Sequence, residues 1–317
     1  MIVWIFFIAL ILVFLALDLG VFNRTPHIIK TKEASVWTGI WVAISFLFSG
    51  VIYWLYSQNI INNIDNLTAT DAVLKYITGY LIEISLSIDN IFVIAVIFAS
   101  FKIPLKYQHR VLFWGILGAI VFRAFMIFFG VVLIKKFSFT TYIFGAFLLF
   151  TAYKMLFSKE EKFQPKKSFI YRQIRKFIPI TSHMQGEHFF IKLKHINAAT
   201  PLFMALVIIE FTDILFALDS VPAILAITSD PFLVFSSNIF AILGLRSMYF
   251  FLSNMLVKFY YLKFSLIAIL SFVGVKLILM HFYTFPEWLS LSFIALALFI
   301  GILVSLKITK EEEFIEE

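Results

Sequence analysis

The sequence predicts an all-α, polytopic membrane protein, and two features of its composition support that prediction. Hydrophobic residues make up 62% of the 317 residues, charged residues only 14%, and the mean hydropathy is +0.97. Soluble domains contain about 25% charged residues, so this chain lies far from the soluble norm. Its apolar residues occur in runs of 18 or more, the length at which a helix can cross the hydrocarbon core of a bilayer.

Nine runs are long enough to form membrane-spanning helices of about 20 residues each. They cover residues 2–22, 35–57, 73–100, 109–134, 138–157, 198–228, 232–257, 263–283 and 287–307. The first run lacks a basic flank and a small-residue cleavage site, so we expect a retained helix rather than a signal peptide. We expect a single transmembrane domain with two N-terminal helices in 1–57, three-helix units in 73–157 and 198–283, a basic loop in 158–197 and a last helix in 287–307.

Lys and Arg residues are distributed unevenly between the two sets of loops. If the N-terminus is outside, the inner segments hold 19 of these residues and the outer segments only three, namely Lys75, Lys135 and Lys136. Because cytoplasmic loops carry an excess of Lys and Arg, the distribution predicts an outer N-terminus and a cytoplasmic C-terminus in the inner (plasma) membrane. The same placement in loops explains the net charge of +7 without a nucleic-acid partner.

The loop at residues 158–197 is the longest polar segment. One interpretation is a short amphipathic helix around Phe169–Phe177 that lies on the anionic leaflet through Arg172, Arg175 and Lys176. The other is a solvated cytoplasmic linker, and the sequence does not separate the two.

Two apolar stretches carry acidic residues in the same order: EISLSIDNIFVI at 83–94 and EFTDILFALDSVPAI at 210–224. Aligning them matches Glu83 with Asp213, Asp89 with Asp219, and Asn90 with Ser220. A charge at the bilayer centre costs at least about 2.5–3.5 kcal/mol on insertion scales, so this concentration of acids indicates a functional site.

The helices that follow these stretches support an internal duplication. GILGAIVFRAF and NIFAILGLRSM each place an arginine inside the membrane, Arg123 and Arg246. With the predicted orientation, the first acidic helix runs inward and the second runs outward. The two three-helix units would therefore form an inverted repeat, which is typical of secondary transporters.

The spacing of the acids limits how a single helix can use them. Six residues turn an α-helix by about 600° and rise about 9 Å, so Glu83 and Asp89 do not share a face. Either each unit gives one carboxylate to a shared centre, or the helix unwinds near Asp89 and Asp219, as Pro222 would favour in the second unit. The donors are all oxygens, which suits hard divalent cations such as Mn²⁺, Mg²⁺ or Ca²⁺.

Several of these residues are also explained by structural roles instead of metal ligation. Glu83 and Asp213 are also explained as acids neutralised by Arg123 or Arg246, and both arginines fit counter-charges better than substrate ligands. Glu210 is an entry residue or a hydrated one.

The motifs LALDLGVF, EISLSIDNIFVI, HRVLFWGILGAIVFRAFMI, EFTDILFALDSVPAILAIT and SNIFAILGLRSMYFFL resemble the TerC family of integral membrane proteins, over about residues 2–306. The resemblance implies export of metal ions, chiefly Mn²⁺, by repeated three-helix units. It also implies that the acidic motifs are matched by Glu83, Asp89, Asn90, Asp213, Asp219 and Ser220. The family is named for tellurium resistance, a phenotype that does not identify the transported species.

We therefore expect a proton-coupled exporter of a divalent cation, with Mn²⁺ as substrate and the lipid bilayer as partner. We expect no enzymatic activity, because the chain lacks a His-based metal motif and the GxGD context of membrane aspartyl proteases, and no cofactor. The alternative is a membrane scaffold in tellurium or metal stress that has no transport activity of its own. Monomer and homo-oligomer both remain open.

Overall fold

The computed structural model describes residues 2–17, 29–61, 63, 65–137, 139–157, 165, 169–181, 184, 186–193, 196–253, 262–280, 282–283 and 285–316. The helices in chain order are α1 Ile2–Leu17, α2 Thr31–Ser57, α3 Ala69–Ser100, α4 Leu105–Lys136, α5 Thr140–Phe157, α6 Phe169–Phe177, α7 Pro201–Leu225, α8 Pro231–Leu252, α9 Leu262–Leu279 and α10 Glu287–Glu316. Two strands, β1 Phe190–Leu193 and β2 Ile196–Ala199, precede α7.

Each of the nine apolar segments predicted from the sequence contains a helix. Within the described residues, seven helices have the length and hydropathy of a membrane span, namely α2, α3, α4, α5, α7, α8 and α10. Helix α1 is apolar but has only 16 residues. The chain is therefore an α-helical polytopic membrane protein, and the number of nine spans stays a prediction.

Local sequence signals set the starts of the helices that carry the polar residues. Thr68 caps α3 by accepting a hydrogen bond from the Asp71 amide at 3.1 Å. Asp230 caps α8, since its Oδ1 accepts from the amides of Phe232 and Leu233 at 2.9 and 3.3 Å. Pro201 and Pro231 begin α7 and α8, a position where the missing amide hydrogen costs nothing.

Helix α8 lies at the centre of the bundle. Of its most apolar 18 residues 78% are buried, against 22% in α2 and in α10. Helices α2, α3 and α4 pack on α8, and further close pairs are α4 with α7, α3 with α7, and α5 with α9. Apart from the contact of α2 with α8, these pairs are unchanged when α3 is exchanged with α7, α4 with α8, and α5 with α9.

Two glycines let α5 and α9 cross closely. A Cβ added at Gly145 would lie 2.8 Å from the carbonyl oxygen of Gly274, and one at Gly274 would lie 3.0 Å from that of Gly145. The first distance is shorter than real Cβ atoms show, and the second is tighter than almost all real Cβ contacts. The contact is reciprocal, so the two helices meet through equivalent faces.

The predicted amphipathic helix in the polar loop is present as α6. Tyr171 and Ile174 pack against the core cluster that contains Phe101, whereas Arg172 and Arg175 are exposed. One face of α6 is thus occupied by the protein itself, and contact of the basic face with lipid stays a prediction.

The loop also contains an antiparallel hairpin that the sequence analysis did not predict. Phe190 pairs with Ala199 and Leu193 with Ile196. Strands of four residues are too short to display an alternating pattern that could be told from a buried loop. We call the end of the bundle that holds β1, β2 and the α3–α4 connection the hairpin end, and the end with the α2–α3 and α7–α8 connections the opposite end.

One of the two alternatives from the sequence, unwinding of the helices near Asp89 and Asp219, does not occur. Helices α3 and α7 are continuous through Asp89 and Asp219. Pro222 lies inside α7 but only three residues before its end at Leu225. It therefore removes a hydrogen bond in the last turn alone, which leaves the helix intact at Asp219.

Candidate functional site

A buried arginine joins polar side chains from both three-helix units. Arg123 on α4 donates from Nη1 to Glu83 of α3 and, at 2.9 Å, to Asn238 Oδ1 of α8. Its Nε and Nη2 donate to the two carboxylate oxygens of Asp213 on α7, at 3.4 and 3.2 Å. Ser220 Oγ, also on α7, lies 3.3 Å from Nη1. The guanidinium thus connects four helices.

Two amide side chains complete the network. Asn90 Nδ2 on α3 donates to Asp213 Oδ1 at 3.0 Å. Asn238 Nδ2 donates to Glu83 Oε2 at 3.1 Å while its oxygen accepts from Arg123. The sequence analysis gave Asn238 no role; an uncharged amide in the apolar sequence of α8 was the available signal.

The network is cut off from solvent. No more than 5% of the surface of any of its six residues is exposed, these being Glu83, Asn90, Arg123, Asp213, Ser220 and Asn238. When Glu83, Asp213 and Arg123 are all ionised, two negative charges face one positive charge. Buried charges persist only when they are paired and hydrogen-bonded, so Arg123 is the group that makes the two carboxylates tolerable here.

Two oxygen atoms next to the network are not satisfied among the described residues. Asn90 Oδ1 and Glu210 Oε2 are buried and have no hydrogen-bond partner. Glu210 lies one turn before Asp213 on α7, toward the hairpin end. A Cβ at position 118 would collide with the Glu210 carboxylate, so Gly118 on α4 is what allows that carboxylate to lie there.

Asp219, another of the motif acids, contacts a different helix. Asp219 Oδ1 accepts a hydrogen bond from Thr151 on α5 at 2.9 Å. It follows Asp213 by six residues, a rotation of about 240°, so it faces another neighbour. The side chain of Asp89 lies outside the described part of the structure, and Arg246 is buried on α8.

Glu83 and Asp213, one from each unit, lie at one buried position and both pair with Arg123, which is the structural role that the sequence analysis set against ligation. A shared centre of metal ligands stays a prediction. Within the described residues, no three or more His, Cys, Asp or Glu side chains are grouped closely enough to hold a metal ion. In this arrangement Arg123 donates to both carboxylate oxygens of Asp213 and to one of Glu83.

The fold and the network define a class: a polytopic α-helical membrane protein with a charged cluster buried between paired helices. The chain belongs to the TerC family, because the model described as "Integral membrane protein TerC family" matches residues 68–313.

Curated relatives match almost the entire chain. An uncharacterized membrane protein of Myxococcus xanthus is 48% identical over 303 residues, 96% of this chain and 91% of that protein. An uncharacterized membrane protein of Rickettsia bellii is 41% identical over 95% of this chain and 96% of its own length. A protein of Escherichia coli K12 named "Putative membrane-bound redox modulator Alx" is 41% identical over 91% and 89%. No solved structure matches significantly.

Substitutions in the network should differ sharply in their effect on stability. Arg123→Gln leaves two buried carboxylates without a cation and should lower the free energy of unfolding by about 3–5 kcal/mol. Glu83→Gln leaves Arg123 with Asp213, a balanced pair, and should cost much less. Thermal unfolding of the detergent-purified variants measures the difference.

Arg172→Gln, at an exposed arginine of α6, is the matched control and should melt like the wild type. The double variant Arg123→Gln/Glu83→Gln should recover part of the lost stability, since it removes one of the two stranded charges. If Arg123→Gln melts with the wild type, the network does not have this energetic role.

Proposed function

We propose that this protein is a secondary transporter that exports a divalent metal cation, with Mn²⁺ as the first candidate, through the network around Arg123. The observation that carries the proposal is the meeting of Glu83 and Asp213, one from each three-helix unit, at one buried position. Ionisable groups inside membrane helices are costly and mark ion pathways. We assign the chain no enzymatic activity and no resident cofactor.

The pattern of helix contacts supports an inverted repeat of α3–α5 and α7–α9. A two-fold relation between the units would interchange the α3–α8 and α4–α7 pairs and map the α5–α9 crossing onto itself. The reciprocal contact of Gly145 and Gly274 has the form expected on such an axis. Alternating access then amounts to rocking of one unit against the other around the central network.

The residues of the network have distinct roles in this scheme. Asp213 and Glu83 supply the charged ligands, and Asn90 supplies a neutral oxygen that has no hydrogen-bond partner among the described residues. In the metal-free carrier Arg123 stands in for the cation and keeps the buried carboxylates paired. Metal binding displaces the guanidinium, and in the empty carrier Arg123 gives both carboxylates a cationic partner while the protein changes its access.

Glu210 fits a role in loading from the hairpin end. Its carboxylate lies one turn from Asp213, and one of its oxygens has no hydrogen-bond partner in the described part of the chain. A carboxyl group there can carry a proton inward and contact the metal on its way outward. Because carboxylates must lose their protons before they hold a divalent cation, we include proton exchange in the proposal. We assign Asp219, which accepts a hydrogen bond from Thr151 here, to a second access state of the carrier.

The name of the Escherichia coli relative refers to a redox role for that protein. In this chain such a role could not use thiol chemistry, because its 317 residues contain no cysteine. A charged network inside the membrane also has no evident use in a scaffold. Ion transport therefore accounts for the buried residues better than either alternative.

Metal flux in proteoliposomes tests the proposal. The wild type should take up Mn²⁺ faster than Mg²⁺, Ca²⁺ or Zn²⁺, and an acidic vesicle interior should accelerate uptake at fixed membrane potential. Asp213→Asn should reduce flux per folded molecule at least about tenfold, because it removes one of the two charged ligands of the proposed site. It should still fold, since Arg123 keeps Glu83 as its partner.

Asp71→Asn is the control, an acid in the first turn of α3 that accepts a hydrogen bond from Thr68 and lies away from the network. It should transport like the wild type. A wild type without flux of any metal would overturn the proposal in favour of the scaffold, and full flux from Asp213→Asn would exclude the network as the route.

The orientation of the chain can be measured with single cysteines, since the natural sequence has none. Ser35 and Ser57 lie near opposite ends of α2, and each donates only to a carbonyl of its own helix. With the N-terminus outside, a membrane-impermeant maleimide should label Ser57→Cys in right-side-out vesicles and Ser35→Cys only after lysis. The reverse pattern would contradict the proposed orientation.

A further inference from the structure

The connection between α7 and α8 is buried, although it joins two helices at an end of the bundle. From Ala226 to Asp230 no residue is more than 5% exposed except Ser229, which is partly exposed. Connecting segments usually lie on the surface, because a buried one leaves backbone polar groups without water. The residues that cover this connection must therefore supply its polar partners.

Two side chains from the first part of the chain bind this connection. Lys75 Nζ on α3 donates to the carbonyl oxygen of Ile227 at 2.8 Å. Asp65, in the α2–α3 connection, accepts from the hydroxyl of Ser229, which lies 3.0 Å from both of its carboxylate oxygens. The first three-helix unit and the segment before it are thus tied to the second unit at the opposite end.

A third contact comes from the end of α2. The Tyr56 hydroxyl hydrogen-bonds to the carboxylate of Asp230, and both residues are at most 3% exposed. Asp230 also caps α8. This contact therefore holds the start of α8 against the end of α2.

The equivalent connection in the proposed repeat, between α3 and α4, is less covered. Lys102 in that connection is exposed, as are Leu105 and Lys106 in the first turn of α4. In an inverted repeat the two units exchange their conformations between the two access states. A covered connection at one end and an exposed one at the other are therefore expected of a carrier that is closed at the covered end.

One face of α3 leads from the network around Arg123 to the covered connection. Gly79 lies one turn before Glu83 on this face, and Lys75 lies one turn before Gly79. A Cβ added at Gly79 would lie 2.9 Å from Ser237 Oγ on α8 and 3.5 Å from Ile224 on α7. The three helices are thus in close contact between the network and the opposite end.

We propose that this face of α3 lines the route by which the network opens to the opposite end, and that Lys75, Asp65 and Tyr56 form the gate that closes it. The gate is closed in this structure. It opens when Lys75 leaves the carbonyl of Ile227 and the α7–α8 connection moves away from α2 and α3. Release of metal along this route rests on the proposed function, whereas closure of the route can be measured without metal.

Lys75 is suited to a contact that breaks and forms again. Its ammonium group also pairs with Glu287 at the start of α10, at 3.0 Å. A buried charge without a partner is costly, and this second partner keeps the lysine paired after it leaves the carbonyl. Glu287 in turn lies 3.6 Å from Lys276 Nζ, so it retains a cation if Lys75 is replaced.

The reactivity of a single cysteine at position 237 tests the gate. Ser237 is 1% exposed, and the natural sequence has no cysteine. The experiment uses vesicles in the orientation in which a membrane-impermeant maleimide labels Ser57→Cys, at the opposite end. In the otherwise natural chain Ser237→Cys should react slowly. Adding Lys75→Met should raise the labelling rate at least about tenfold, because a hydrogen bond from a charged donor is lost.

Lys135→Met is the matched control, since Lys135 is an exposed lysine at the same end of the bundle. It should leave the labelling rate of Ser237→Cys unchanged. Tyr56→Phe removes only one hydroxyl and should also accelerate labelling. Thermal unfolding shows which variants are folded, and Tyr56→Phe decides the result if Lys75→Met does not fold.

The outcomes separate the gate from the proposed function. Faster labelling of Ser237→Cys in Lys75→Met or in Tyr56→Phe supports the gate even if no metal flux is found. Unchanged labelling in every folded gate variant overturns the gate even if flux is robust. Fast labelling of Ser237→Cys in the otherwise natural chain also overturns it, because the route would then be open without any change to the gate.

Discussion

The burial of the Arg123 guanidinium between Glu83 and Asp213 is the interaction on which the rest of the bundle depends. Burying the guanidinium without partners would cost too much free energy, so α3, α7 and α8 must direct their polar atoms toward Arg123 on α4. The two hydrogen bonds from Arg123 to Asp213 and the amide of Asn238 set the rotation of those helices about their axes. Helices that are apolar on most faces have few other features to fix that rotation.

Contacts away from the centre are consistent with this arrangement. The α5–α9 crossing depends on Gly145 and Gly274, which carry no side chain between the two backbones. At the opposite end, Glu287 at the start of α10 pairs with Lys75 of α3 at 3.0 Å, and Lys276 of α9 donates to Ser290 at 2.9 Å. Polar contacts therefore occur at the centre and at the ends, with close backbone packing between them.

Much of the fold could be predicted because hydropathy reports helices directly in a membrane protein. The same reasoning found the paired acidic motifs and the arginines that follow them. It could not decide which acids meet, since that depends on the rotation of each helix. Asp213 and Asp219 differ by about 240° around α7, and only the structure shows that Asp213 faces Arg123 while Asp219 faces Thr151. The hairpin and the pairing of Asp65 with Ser229 arise from contacts between distant segments, which no local pattern encodes.

The central claim is that a metal cation and Arg123 compete for the same carboxylates. Anomalous diffraction at the manganese absorption edge, from crystals of the protein grown with Mn²⁺, tests it most directly. The account predicts an anomalous peak within coordination distance of Asp213 and Asn90, with the Arg123 side chain withdrawn from both carboxylates. Arg123 still bonded to Glu83 and Asp213 in metal-loaded crystals, with no peak beside them, would contradict it.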